Sequence, residues 1–229
     1  MPTIDRTTAS GRPSIERSGE TAVLLRFGDV IADEVVARVH AASRQIDDQR
    51  PVWLLDIVPA YTTLLVVVDP AACPGDDAQA HAIAWLQQQN FILDSAPSAR
   101  EIEIPVHYGG SDGPDLDDVA RHAGMDSAAF IERHSAGRYM VAMLGFAPGF
   151  PYLIGLDPAL AMPRLDTPRM RVEAGSVGIG GAQTGIYPEA GPGGWRIIGR
   201  TRQVLFDASR NPPALLAPGD RVRFVPVAD

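Results

Sequence analysis

Beyond residue 137, glycine and proline break the chain into short apolar pieces: RYMVAMLGF, RVEAGSVGI, GIYP, GWRIIGRT, QVLFD and RVRFVPV. Each is too short for an amphipathic helix and rich in β-branched or aromatic side chains, so this half reads as an all-β barrel or sandwich. One stretch resists even that description. GFAPGFPYLIGLDP (145–158) carries three prolines and three glycines. Pro148, Pro151 and Pro158 each remove a backbone donor and fix φ, which predicts irregular chain with no regular element. Phe146, Phe150, Tyr152, Leu153 and Ile154 are nevertheless too apolar for a solvated loop. The segment is expected to form a rigid wall, or a partner-facing lip, of a barrel pocket.

The first half has a different texture. TAVLLRF (21–27) reads as a strand. IADEVVARVHAASRQI (31–46) reads as a helix with Ile31, Val35, Val39, Ala42 and Ile46 on one stripe. VWLLDIV (52–58) and TTLLVVV (62–68) follow as a hairpin, and DDAQAHAIAWLQQQ (76–89) as a second helix capped by Asp76. The order β-α-β-β-α lacks one strand of a ferredoxin-like unit. EIEIPV (101–106) could supply it, or could open the barrel. SAPSAR (95–100) is the best linker. The expected organisation is a disordered tail over 1–19, a small α+β domain over 20–97 and a β-barrel domain over 98–229. Two short helices should open the second domain, DLDDVARHA capped by Asp115 and SAAFIERHS capped by Ser127.

Composition removes several chemistries. The formal net charge is −8, which argues against a nucleic-acid surface. No apolar run approaches the roughly 18 residues of a membrane span, and residues 1–17 lack the apolar centre of a signal peptide. A cytoplasmic protein is expected. The single cysteine, Cys73, permits neither an internal disulfide nor a Cys-based zinc site. All 20 basic residues are arginine. Without lysine there is no Walker-type phosphate lysine, no Schiff base and no Ser/Lys amidase centre.

Candidate chemistry sits in the β-rich half. AGSVGIGGAQTGIYP (174–188) has five glycines. They are either turns and bulges of a barrel or a close backbone approach to a ligand. No helix follows, so this is no dinucleotide fingerprint. Gln183 and Thr184 are its polar groups, and Ser176 is the one serine in a glycine-rich setting. Trp195 reads as core more readily than as a ligand platform. Arg200 closes an apolar strand, either solvated or pinned at a barrel mouth for a carboxylate or phosphate. The five histidines show no metal-ligand spacing. His40 and His81 are expected on helix surfaces. His134 ends FIERH, where a helix C-terminus would favour its protonated form.

GFAPGFPYLIGLDP, TPRMRVEAGSVGIGGAQTGIYP and GPGGWRIIGRT together resemble the family called allophanate hydrolase subunit 1, also known as the 5-oxoprolinase B-subunit or Kip inhibitor family. IVPAYTTLLVVVDP and IPVHYGGSDGPDLDDVA fit as well, so the resemblance spans roughly residues 20–227. It implies an N-terminal ferredoxin-like α/β sandwich followed by a cyclophilin-like β-barrel. It also implies a partner of the same family, called subunit 2 or the C-subunit. A third subunit joins them in an ATP-dependent 5-oxoprolinase that opens 5-oxoproline to glutamate. The same modules look like the carboxyltransferase region of urea carboxylase, and one branch inhibits a sporulation sensor kinase. A lysine-free chain cannot itself be an allophanate-cleaving Ser/Lys amidase. ATP is then used by the assembly, and neither a metal nor a biotin site is visible in this chain. The shared blocks contain Phe146, Pro148, Phe150, Tyr152, Arg169, Gly180, Gly181, Gln183, Thr184, Tyr187 and Arg200. The resemblance suggests Arg169 or Arg200 for an anion, Gln183 and nearby backbone N–H groups for an amide carbonyl, and His134 for proton transfer. The wall around Phe150 would exclude water.

Overall fold

The computed structural model describes residues 12–91 and 100–228. The chain divides into two compact units, Met1–Ser98 and Ala99–Asp229. The linker expected at 95–100 falls almost wholly outside the described residues.

The first unit is an antiparallel sheet with two helices. Its elements are β1 (Ser14–Ser18), β2 (Ala22–Arg26), α1 (Asp33–Gln49), β3 (Leu54–Pro59), β4 (Thr63–Val68) and α2 (Ala78–Gln88), with strand order β1-β2-β4-β3. Alternation explains β4: Leu64, Val66 and Val68 are fully buried, while Thr63, Leu65 and Val67 are only partly covered. The buried set packs with Val39, Ala42 and Ile46 of α1 and Ala82 and Leu86 of α2 in one core.

Several expectations need correction here. Residues 14–18, read as part of a disordered tail, form β1 and pair in register with β2. This strand takes the edge position that a strand after α2 would occupy in a ferredoxin-like unit. EIEIPV therefore goes to the barrel. His40 is buried rather than exposed: it joins Val36, Val39, Ala42 and Ile46 on the inner stripe of α1, while Ile31 precedes the helix and is exposed. The cap of α2 is Asp77, whose carboxylate accepts from Ala80 N–H at 3.0 Å, rather than Asp76.

The strands of the second unit are β5 (Glu101–Tyr108), β6 (Tyr139–Leu144), β7 (Pro151–Ile154), β8 (Arg169–Val172), β9 (Ser176–Gly180), β10 (Gln183–Ile186), β11 (Gly191–Gly193), β12 (Arg196–Arg200) and β13 (Arg221–Pro226). Seven of them close a barrel in the order β10-β7-β6-β13-β5-β12-β9. Only the β13–β5 pairing is parallel. The other two, β8 and β11, form a ribbon apart from the barrel ladder. Helices α3 (Leu116–His122) and α4 (Ser127–Ser135) add Val119 and Phe130 to the barrel core around Val177, Ile179, Ile198 and Phe224.

The proline-rich stretch does contain a regular element: β7, pairing with both β6 and β10. Pro151 opens the strand, a position where its missing N–H disrupts no interior ladder bond. QVLFD forms no strand; only Phe206 bridges to Ala214. Asp126, not Ser127, caps α4, accepting from Ala129 N–H at 2.8 Å.

Candidate functional site

The outer face of β9 and β12 carries a cleft of about 180 Å³. Alternation along β9 sends Val177 and Ile179 inward to the core, and leaves Ser176, Gly178 and Gly180 facing out. On β12 the same alternation would place Ile198 and Arg200 on one face. A register shift between Ile197 and Gly199 prevents this, with Ile197 opposite Gly178 and Gly199 opposite Val177. Ile198 is thereby buried in the core and Arg200 emerges outside, directly opposite Ser176. A bulge has re-aimed a functional side chain.

Arg169 reaches the cleft from β8 in a bidentate pair with Asp115, at 2.7 and 2.8 Å. Asp115 also accepts from Ile197 N–H at 2.6 Å, and its own N–H bonds Ile197 O at 2.9 Å. This carboxylate, expected as a helix cap, makes no cap bond. It is buried because Gly113 lets its loop press onto β12; a Cβ there would overlap Ile198 O. The hydrogen bonds that Arg169 donates to the Asp115 carboxylate push the Arg169 pKa above its ordinary value. Arg171 is held by Glu173 at 2.7 Å. Arg200 donates through Nε to Ala174 O at 2.8 Å, and its Nη1 lies 3.9 Å from Asp112.

Beside the cleft stands an aromatic wall. Phe150 meets Phe146, Tyr152, Tyr187 and Trp195 at centroid distances of 5.4, 4.9, 5.2 and 5.5 Å. Edge-on geometry, with interplanar angles between 72° and 88° for Phe146, Tyr187 and Trp195 against Phe150, sets ring edges against ring faces. The outward glycines of the run make room for Trp195. A Cβ on Gly180 would sit 2.6 Å from the indole, and one on Gly185 would sit 3.0 Å from it. Gly193 performs the same service for Tyr187, whose hydroxyl would overlap a Cβ there. Arg164 stacks over the indole at 5.6 Å. Burial, the largest cause, pushes the Tyr187 phenol up. Phe146 terminates the wall, 66% exposed with φ 67°. It is held there by a closed turn in which Gly145 N–H bonds Phe150 O at 3.1 Å and Phe150 N–H bonds Ala147 O at 3.0 Å. Exposed Pro148 lies in the same turn.

The remaining predicted residues separate. Thr184 and His134 lie inside the barrel, both 0% exposed. Thr184 donates to Gly178 O at 3.0 Å, so its oxygen accepts from His134 Nε2 at 3.2 Å. Nδ1 is then the acceptor for the Tyr108 hydroxyl at 2.8 Å. Phe224 and Tyr139 flank the ring at 4.7 and 5.4 Å. Burial holds the imidazole neutral, with a pKa lowered to about 3. This corrects the expectation of a protonated His134 at a helix end: burial in the barrel outweighs the attraction of the helix C-terminus for a positive charge. Gln183, half-buried, opens β10 opposite Gly180, and Gly181 sits in the intervening turn with φ 66°.

Phe146, Phe150, Tyr152 and Tyr187 thus converge as one wall, with Gly180 beneath Trp195. Arg169 and Arg200 share the cleft. His134 and Thr184 belong to neither. Asp115 and Asp112 are site residues that sequence reasoning misses; an aspartate before a short helix looks like a cap, and nothing local reveals its distant arginine. Among the described residues no group of three or more His, Cys, Asp or Glu side chains is placed to hold a metal ion.

Comparison with known proteins matches these features to relatives of nearly the same length. The chain is 40% identical to the 5-oxoprolinase B-subunit of Bacillus subtilis, covering 95% of this chain and 94% of that protein. It is 43% identical to the 5-oxoprolinase B-subunit of Escherichia coli O157:H7, covering 91% and 93%. Among solved structures, TTHA0988 superposes with a TM-score of 0.80 at 38% identity over 91% of this chain, which spans 40% of that longer protein. The family model for the carboxyltransferase domain, subdomain C and D, matches residues 13–216. With that match covering both units, the chain belongs to the carboxyltransferase subdomain C and D family.

Proposed function

We propose that this chain is the B-subunit of an ATP-dependent 5-oxoprolinase, an assembly that opens 5-oxoproline to glutamate and is active only with its partner subunits. The observation that carries this reading is similarity over nine-tenths or more of both chains to two proteins of that name. The partners are a C-subunit of the same family and a third subunit, and the setting is the cytoplasm.

ATP does not fit the glycine-rich run of this chain. Residues 176–186 form β9 and β10, whose backbone is engaged in sheet pairing and whose outward glycines are filled by Trp195. A phosphate cradle needs free N–H groups converging at a loop or helix start. Nucleotide chemistry therefore belongs to the assembly. The residues we assign to the amide lie on the barrel's outer face. Arg200 and Ser176 line the cleft, Arg169 is locked by Asp115, and the wall from Phe146 to Trp195 limits water. Gln183, at the start of the neighbouring strand, is assigned to orient a carbonyl. We assign His134 no proton transfer.

Reconstitution with the partner subunits tests the reading. ATP-dependent release of glutamate from 5-oxoproline is expected, and its absence with all partners present would sink the assignment. Arg200→Ala in that complex should lose most turnover; unchanged turnover removes this arginine from the site. The family description favours one other reading, a carboxyltransferase-type subunit for a urea-like amide. It requires a biotin-carrying partner, so a purified complex free of biotinylated protein counts against it.

A further inference from the structure

The cleft's ion pairs bear on what it can hold. Its three arginines meet three carboxylates: Arg169 with Asp115, Arg171 with Glu173, and Arg200 with Asp112. The first two pairs are closed at 2.7 Å; the third stands open at 3.9 Å, beyond hydrogen-bond reach. Nε of Arg200 is committed to Ala174 O, which fixes the guanidinium plane while its Nη groups bond no described residue. Opposite it across the ladder, Ser176 is 4% exposed, lines the cleft, and its hydroxyl also bonds no described residue. One fixed donor, one acceptor and one hydroxyl therefore face a small balanced cavity.

We propose that Arg200, Asp112 and Ser176 form a recognition site for the uncharged cis-amide edge of a five-membered lactam or cyclic urea, with any ring substituent lying outside this contact. The ring's carbonyl accepts from Arg200 Nη1 and the Ser176 hydroxyl, and its N–H donates to Asp112. The 3.9 Å opening is the separation a cis-amide edge bridges with two slightly splayed hydrogen bonds. A free carboxylate fits worse, since it would face Asp112 with no surplus cation to offset it. The volume of about 180 Å³ lies below the roughly 300–1,000 Å³ of drug-sized sites, which suits a small ring and is too tight for a nucleotide. The proposal deepens the 5-oxoprolinase reading by naming where the lactam edge binds, but its geometry does not depend on that name.

The test is a ¹H–¹⁵N NMR titration of the full chain with 2-pyrrolidinone, with cyclopentanone and acetate as controls. Saturable shifts are expected at residues 111–113, 174–176 and 200–201. Cyclopentanone, which has no N–H, should bind about tenfold more weakly, as should 2-pyrrolidinone to Asp112→Ala or Arg200→Ala. Should either variant fail to fold, Ser176→Ala supplies the same comparison. No saturable shift with 2-pyrrolidinone, unchanged affinity in the folded variants, or acetate binding as tightly as the lactam would each overturn the proposal. A reconstituted complex that keeps its wild-type KM for 5-oxoproline in both variants sinks the lactam site alone. An inactive complex beside intact lactam binding sinks the 5-oxoprolinase assignment alone.

Discussion

Ser176 and Thr184 sit on adjacent strands of one barrel, yet they belong to opposite kinds of polar site. Thr184 points inward to a neutral, fully satisfied chain in which Tyr108 donates to His134, His134 to Thr184, and Thr184 to Gly178 O. Ser176 points outward to a charged cleft whose Arg200–Asp112 pair is left open. The difference teaches where ionisation is tolerated. Inside, charging a group costs several kcal/mol unless it is paired, so hydroxyls and a neutral imidazole are used. Outside, partial solvation lets three arginines stand beside three carboxylates, and one pair can remain available for a ligand.

The largest effect that could break this contrast is at the inner site. His134→Ala removes a core ring and leaves the Tyr108 hydroxyl without its acceptor, and should cost about 3–5 kcal/mol in urea unfolding. A loss under about 1 kcal/mol would show that the network is ornamental rather than structural. Asp115→Ala comes next. It strands the Ile197 N–H and frees Arg169, which is 32% exposed. Partial solvation of the arginine limits the expected loss to about 2–3 kcal/mol, below that of a fully buried pair.

Acidification sharpens the comparison further. His134 has a folded pKa of about 3 against about 6.5 in the unfolded chain. The unfolded state therefore binds more protons between those values, and stability present at neutral pH is lost as pH falls below about 6.5. By about pH 5 the loss from this group is about 2 kcal/mol, and His134→Gln should remove that part of the pH dependence. An identical acid profile in both proteins would refute the neutral-imidazole assignment. The smallest effect is at the wall's exposed end. Phe146→Asn relieves a left-handed aromatic residue and should change stability by less than about 1 kcal/mol. The same substitution should weaken assembly with the partner subunits, measured by co-purification. Intact assembly would restrict Phe146 to ligand contact.

Much of the first unit is legible because its contacts are local. The β-rich run TTLLVVV marks a strand and the helical stripe around Val39 and Ile46 marks a helix, and both elements form where the residues place them. The strand at 14–18 escapes notice because SIERS carries no apolar alternation; it is a strand by virtue of pairing with β2. In the second unit the motif blocks contain Arg169, Arg200 and the wall aromatics, but their grouping around one cleft is visible only in the fold. Asp115 stays hidden since its partner lies 54 residues away. His134 misleads because its place at a helix end is visible in sequence and the burial that overrides it is not.

Residue chemistry was settled by the sequence alone: a lysine-free chain, a Gly/Pro-punctuated β half and the family blocks that carry it. Tertiary structure decided direction. A single bulge between Ile197 and Gly199 turns Arg200 out of the barrel to face Ser176, and barrel closure turns Thr184 in to meet His134. Strand pairing between residues far apart in the chain sets which face each side chain takes, and one residue of register reverses that choice.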